Sequence, residues 1–241
     1  MGEEKKRLPV GLENFEQIIN DNYYYVDKTG LISELIRNGG MVNLFTRPRR
    51  FGKTLNMSML EHFFSIERDQ SIYDGLEISK DTKLCEEYMG KYPVISISLK
   101  GINAAAYEDA FDFAVQIMQR TAEEFQFLSD SEYLSEHDKS VYRELLDSNM
   151  SETVFCGGLK ILSKLLEKHY RLKVILLIDE YDVPLAKAFE NGYYEQMIFL
   201  IRNLLEQALK TNNSLKFAVM TGCMRIQMNV MMNILVLRIR K

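Results

Sequence analysis

Three consecutive residues, Gly52, Lys53 and Thr54, have the types that handle phosphate. Glycine has no Cβ, so its backbone can pass close to a ligand and adopt positive φ. A lysine here offers a point charge to β and γ phosphates, and a threonine hydroxyl ligates Mg2+. The loop reads R-P-R-R-F-G-K-T, comprising Arg47, Pro48, Arg49, Arg50, Phe51, Gly52, Lys53 and Thr54. It matches the last three positions of the G-x-x-x-x-G-K-[ST] phosphate loop, with Arg47 in place of the first glycine. So short a string arises by chance in many chains. It gains meaning only when a strand precedes it and a helix follows, because the helix N-terminus adds N–H donors and the positive end of its dipole. A second pair, Asp179 and Glu180, follows the aliphatic run Val174 to Ile178. A buried strand ending in Asp delivers a carboxylate to its C-terminal tip, where it can hold Mg2+. Glu180, one residue on, is placed to polarise a water as general base. The competing reading makes both carboxylates a helix cap.

The flanking segments supply the required elements. Asp27 to Arg37 opens with turn residues and continues with Ile32, Leu35 and Ile36 at helical spacing. Met41 to Phe45 is a short apolar strand. From Thr54 onward, Leu55, Met59, Leu60, Phe63 and Phe64 form an amphipathic helical stripe. Val94 to Leu99 is a second strand, Ala104 to Phe127 a helix, and the acidic, serine-rich Ser129 to Ser140 a surface insertion. Leu159 to His169 is helical, and Val174 to Ile178 has the composition of a strand buried on both faces. Tyr194 to Lys210 is helical and Phe217 to Met220 is a strand. Such alternation predicts an α/β fold of three layers, a parallel central sheet flanked by helices. One strand, Val94 to Leu99, lies between the loop strand and the Asp179 strand. This arrangement resembles that of the additional-strand, AAA-like P-loop NTPases, and the resemblance implies that the strand after the Asp-Glu pair inserts between those two. Thr221, at that strand's tip, is then a candidate polar sensor of the γ-phosphate or of the water. Gln227 to Lys241 could form a last strand, although the link from Thr221 is short for a helical crossover.

The 241 residues are 46% hydrophobic and 27% charged, enough to bury a full core in one domain. The net charge of −4 argues against capture of nucleic acid by the whole surface. The three cysteines and three histidines are too scattered for a metal site. Sparse cysteines, no apolar leader and no apolar run near the ~18–20 residues needed to span a bilayer lead to the expectation of a cytoplasmic chain without a membrane partner.

The chain resembles the predicted AAA-ATPase-like family of bacterial and archaeal proteins, whose ATPase domain is usually followed by a PD-(D/E)xK nuclease-like domain. The resemblance rests on Leu8 to Gly11, Tyr24 to Thr29, the Arg47 to Thr54 loop, Tyr92 to Ile95, Leu177 to Pro184 and Thr221 to Ile226. It implies ATP and Mg2+ as ligands and makes arginine at position 47 an expected variation. It further implies that Asp27, Lys28 and Thr29 lie near the nucleotide base, whereas the residues alone allow Asp27 and Thr29 to be helix caps. Arg225 is a candidate sensor arginine reaching the γ-phosphate, or simply a surface arginine. Asp182 is a candidate support for Mg2+ or for a turn. The resemblance ends after Ile226, so the expected division is an ATPase-like domain over 1–226 and a divergent tail over 227–241, as in a truncated or frameshifted gene. A DNA or protein partner would then be engaged through the absent domain, and AAA-type relatives often form homo-oligomers. Two other functions compete with ATP hydrolysis. One is a non-hydrolysing nucleic-acid-binding or interaction module built on Arg47, Arg49 and Arg50. The other is an inactive fragment.

Overall fold

The computed structural model describes residues 6–48, 50–66, 68–223 and 238–240. Along the chain the elements are α1 (Phe15–Asn20), α2 (Gly30–Asn38), β1 (Val42–Thr46), α3 (Lys53–Phe64), α4 (Thr82–Tyr88), β2 (Val94–Ser98), α5 (Tyr107–Glu123), α6 (Glu136–Glu144), α7 (Glu152–Tyr170), β3 (Val174–Asp179), α8 (Val183–Asn191), α9 (Tyr194–Leu209), β4 (Leu215–Gly222) and β5 (Arg238–Arg240). They divide into two compact units, 1–39 with 49–94, and 40–48 with 95–241.

The first unit is helical. Asn14 caps α1 by accepting from Gln17 N, and Phe15 N donates to Ser58 Oγ at 3.0 Å, which fastens α1 to α3. Around that seam Phe15, Tyr25, Phe63 and Tyr73 pack edge to face or tilted, with centroids 5.3 Å apart for the pairs Phe15–Tyr25, Phe15–Tyr73 and Phe63–Tyr73. His62 is buried among them, and neither ring nitrogen has a hydrogen-bond partner among the described residues. Burial pushes its pKa down, and Arg68 adds to this, against the upward pull of Glu16 and Asp69.

The second unit is an α/β sheet flanked by helices, in the order β2-β3-β4-β1-β5. β4 runs parallel to both β3 and β1, and β5 runs parallel to β1. All six residues of β3 are buried, as the unbroken aliphatic run predicts. β4 therefore lies between the loop strand and the Asp179 strand, the insertion expected from the sequence. The register Thr46↔Gly222 and Ile178↔Met220 brings the C-terminal ends of β1, β3 and β4 side by side. Ligands of open α/β sheets bind at that edge. The core interleaves Leu44, Ile97, Leu176, Ile178 and Met220 with Met118 of α5, Leu162 and Leu166 of α7, and Leu200 and Leu204 of α9. The strand expected in the tail is present at Arg238–Arg240; the segment that links it to β4 lies outside the described residues.

Two segments differ from expectation. The stretch expected as a surface insertion contains the start of α6, with a Ser135–Asp138 capping box and buried Leu134; Leu128 and Tyr142, on either side, are buried too. Helix α7 starts at Glu152, seven residues before Leu159, with Ser151 accepting from Val154 N as its cap. Gly157 and Gly158 both lie inside it, and at Gly158 α7 packs closely on α5: a Cβ there would meet Met118 Sδ at 2.8 Å.

Candidate functional site

Each unit carries one group of residues fitted to chemistry. In the helical unit, Arg50 and Gly52 both have positive φ, +68° and +71°, whereas Phe51 between them does not. Lys53 then begins α3. Alternation of backbone hand is the arrangement by which successive N–H groups can face one side, as they do in anion-binding hollows. Here it runs straight into a helix N-terminus, the second device that favours anions. Gly52 is the N-cap and its carbonyl accepts from Asn56 N at 3.0 Å. Lys53 is buried, 8% exposed, while Arg50 and Phe51 are exposed. Thr54 is the second residue of the helix and half-buried.

Arg47 and Pro48 belong to the sheet unit and are exposed, and Arg47 N donates to Gly222 O at 3.2 Å, continuing the β1–β4 ladder. Arg49 and Arg225 lie outside the described residues.

The helical unit also shows what Asp27 and Thr29 do. Asp27 Oδ1 accepts from Thr29 N at 2.8 Å and from Thr29 Oγ1 at 2.7 Å, and Asp27 Oδ2 accepts from Glu77 N at 2.7 Å. Thr29 Oγ1, fully buried, accepts from Ile78 N at 3.1 Å. Burial pushes the Asp27 carboxyl up, but these bonds and Lys80 outweigh it and hold its pKa below the usual value. The flanks of Lys28 are thus committed to holding a turn.

In the sheet unit the end of β3 is locked to the end of β4. Asp179 and Thr221 are buried, and the Thr221 hydroxyl donates to Asp179 Oδ1. Glu180 N lies 3.5 Å from Thr221 Oγ1, and Tyr181 N donates to Thr221 O at 3.3 Å. Asp182, also buried, accepts from Cys223 N on Oδ2 at 2.7 Å. Gly222 makes room for this: a Cβ there would stand 2.7 Å from Tyr181 Cε1 and 2.9 Å from Asp182 Oδ1. The chain turns out of β3 at Glu180, which is left-handed with φ +51° and half-buried. An L-residue pays about 1–2 kcal/mol for that conformation, a cost tolerated where surrounding bonds over-determine it and where function wants it. Burial drives the Tyr181 phenol up to about 12, helped by Asp182 and Cys223, so it stays a neutral packing group.

Thr221 therefore has a hydroxyl directed to Asp179, which orients the carboxylate. Asp182 stabilises the turn. Sequence reasoning missed the left-handed Arg50 and the steric role of Gly222. Nothing in a string of arginines signals positive φ, and Gly222 reads as an ordinary strand end.

Compared with known proteins, residues 9–232 match the model of a family described as predicted AAA-ATPase. A curated relative, "Uncharacterized protein in vnfD 5'region" from Azotobacter chroococcum mcd 1, is 27% identical over 228 residues. That alignment covers 90% of this chain and 37% of the relative, so the chain spans little more than a third of the relative's length. No solved structure matches the chain.

Proposed function

The chain belongs to the AAA-ATPase-like family of predicted AAA-ATPases, and from that premise we propose that it binds ATP with Mg2+ and hydrolyses it to ADP and phosphate. The observation that carries the proposal is the loop of alternating hand, Arg50 to Gly52, delivering Lys53 and Thr54 at the start of α3. Lys53 takes the β and γ phosphates. The oxygen donors of Thr54 and Asp179 are the hard ligands that Mg2+ prefers, so these two residues would hold it. When bound, the ion neutralises charge on the phosphates. Thr221, by donating to Asp179, fixes the carboxylate's orientation. Glu180, held just past β3, orients a water and accepts its proton as the water oxygen bonds to the γ-phosphorus. The bond from that phosphorus to the β–γ bridging oxygen breaks, and ADP leaves.

Binding and turnover separate in one variant. Glu180→Gln keeps the side chain's size and removes its basicity. It should retain Mg-ATP affinity while phosphate release falls by roughly 10²–10⁴-fold, the usual worth of a general base. Phosphate release at the wild-type rate from the Gln variant would remove Glu180 from the mechanism.

A further inference from the structure

We propose that Lys28 is a second phosphate-binding cation at the loop, presented by a purpose-built turn, and that it reads the number of phosphates on the nucleotide; this rests on the nucleotide-binding reading above. Lys28 Nζ lies 3.6 Å from the point a Cβ on Gly52 would occupy, so its ammonium stands against the backbone of the left-handed loop residue. Lys28 is exposed, and among the described residues no carboxylate lies within ion-pair range of it. Other basic side chains of this acidic chain do find carboxylates: Arg37 pairs with Asp81, Arg68 with Glu16 and Glu61, and Lys168 with Asp138. An ammonium left unpaired next to the left-handed loop has its counter-charge to gain from a ligand.

The turn explains how a lysine with a flexible stem is aimed. Asp27 and Thr29 flank it, and both their side chains are spent on bonds to each other and to the backbone at Glu77 and Ile78. Lys28's own N–H donates to Tyr25 Oη at 3.3 Å, and that hydroxyl reaches Met59 Sδ on α3, the helix that starts at Lys53. The three-residue unit is thus two anchors with a cation between them. A cation against Gly52 meets the phosphates rather than the base, which revises the placement implied by the family resemblance. Its contribution scales with ligand charge, so it should matter most for a triphosphate, less for a diphosphate and least for a monophosphate.

Calorimetry on the full chain with Mg2+ and ATP, ADP or AMP tests this in wild type, Lys28→Met, Lys28→Arg and Lys53→Ala. The expected result for Lys28→Met is an unchanged thermal midpoint and a loss of ATP affinity of roughly 3- to 30-fold. The loss should be smaller for ADP and absent for AMP, and Lys28→Arg should restore most of it. A Lys28→Met variant equal to wild type for ATP, with Lys53→Ala unable to bind, overturns the role of Lys28 and leaves the nucleotide-binding reading standing. An equal loss for all three nucleotides overturns the phosphate-counting claim and returns Lys28 to the base. Failure of the wild type to bind any of the three overturns both.

Discussion

Gly222→Ala and Gly157→Ala add the same methyl group to the same unit and should move stability in opposite directions. Gly222 is the last residue of β4, without positive φ, so the only barrier to alanine is space. The new Cβ would fall 2.7 Å from Tyr181 Cε1 and 2.9 Å from Asp182 Oδ1. Neither neighbour can retreat cheaply: Tyr181 is a buried ring, and Asp182 is tied to Cys223 N at 2.7 Å. Overpacking of this kind costs about 1–3 kcal/mol, which for a chain of this size lowers the melting temperature by roughly 2–12 °C. Gly157 sits inside α7, where a Cβ would meet Ile161 Cδ1 at 3.4 Å and Gln207 Oε1 at 3.6 Å, ordinary contact distances. Alanine there gains about 0.5–1 kcal/mol of helix stability and should raise the melting temperature by roughly 1–4 °C. Thermal unfolding followed by circular dichroism, with each variant beside wild type, reads both signs. A neutral Gly222→Ala would refute the account of how the ends of β3 and β4 are locked, and a destabilising Gly157→Ala would refute the reading of ordinary contact space around Gly157.

Burial raises the pKa of the Asp138 carboxyl, but the hydrogen bonds from Lys168 and Ser135 outweigh it and hold it at about 2. Its folded value is below the unfolded one, so its contribution, on the order of 1–2 kcal/mol, is full above the unfolded pKa and lost as pH falls through about 2. In urea titrations Asp138→Asn should be less stable than wild type at pH 6, with the gap closing on acidification; a gap independent of pH would point to packing instead. His62 has its pKa depressed by burial, so stability should decline as pH drops below the unfolded histidine value near 6.5. His62→Phe should flatten that decline and add about 1 kcal/mol at neutral pH by removing two buried nitrogens without hydrogen-bond partners among the described residues, checked by urea midpoints at pH 7 and pH 5.

The sheet was legible because its signals are strong and local. Val174 to Ile178 can hardly be anything but a buried strand, and the placing of Gly52-Lys53-Thr54 after β1 and at the start of α3 follows from the apolar pattern on either side. The insertion of β4 was implied by the resemblance of the strand count to the additional-strand P-loop ATPases, and the strand order agrees with it. What escaped depends on contacts distant in sequence. Leu128, Leu134 and Tyr142 bury a segment whose acidic, serine-rich composition looks solvated. Gly158 looks like a helix breaker until α5 and α7 are seen to pack through it. Asp27 and Thr29 look like caps or ligands; Thr29 does stand at the N-cap of α2 but makes no side-chain capping bond, and both side chains join the turn to a segment about fifty residues away. Positive φ at Arg50 and Glu180 leaves no trace in residue type, since glycine is the usual signal for it.

The central claim is that the loop ending in Lys53 binds nucleoside triphosphate. Titration of purified wild type and Lys53→Ala with ATP in the presence of Mg2+, read by isothermal calorimetry, addresses it most directly. The account predicts saturable binding with one ATP per chain in the wild type and its loss in the alanine variant. Absence of binding to the wild type, or equal affinity in the two proteins, would contradict it.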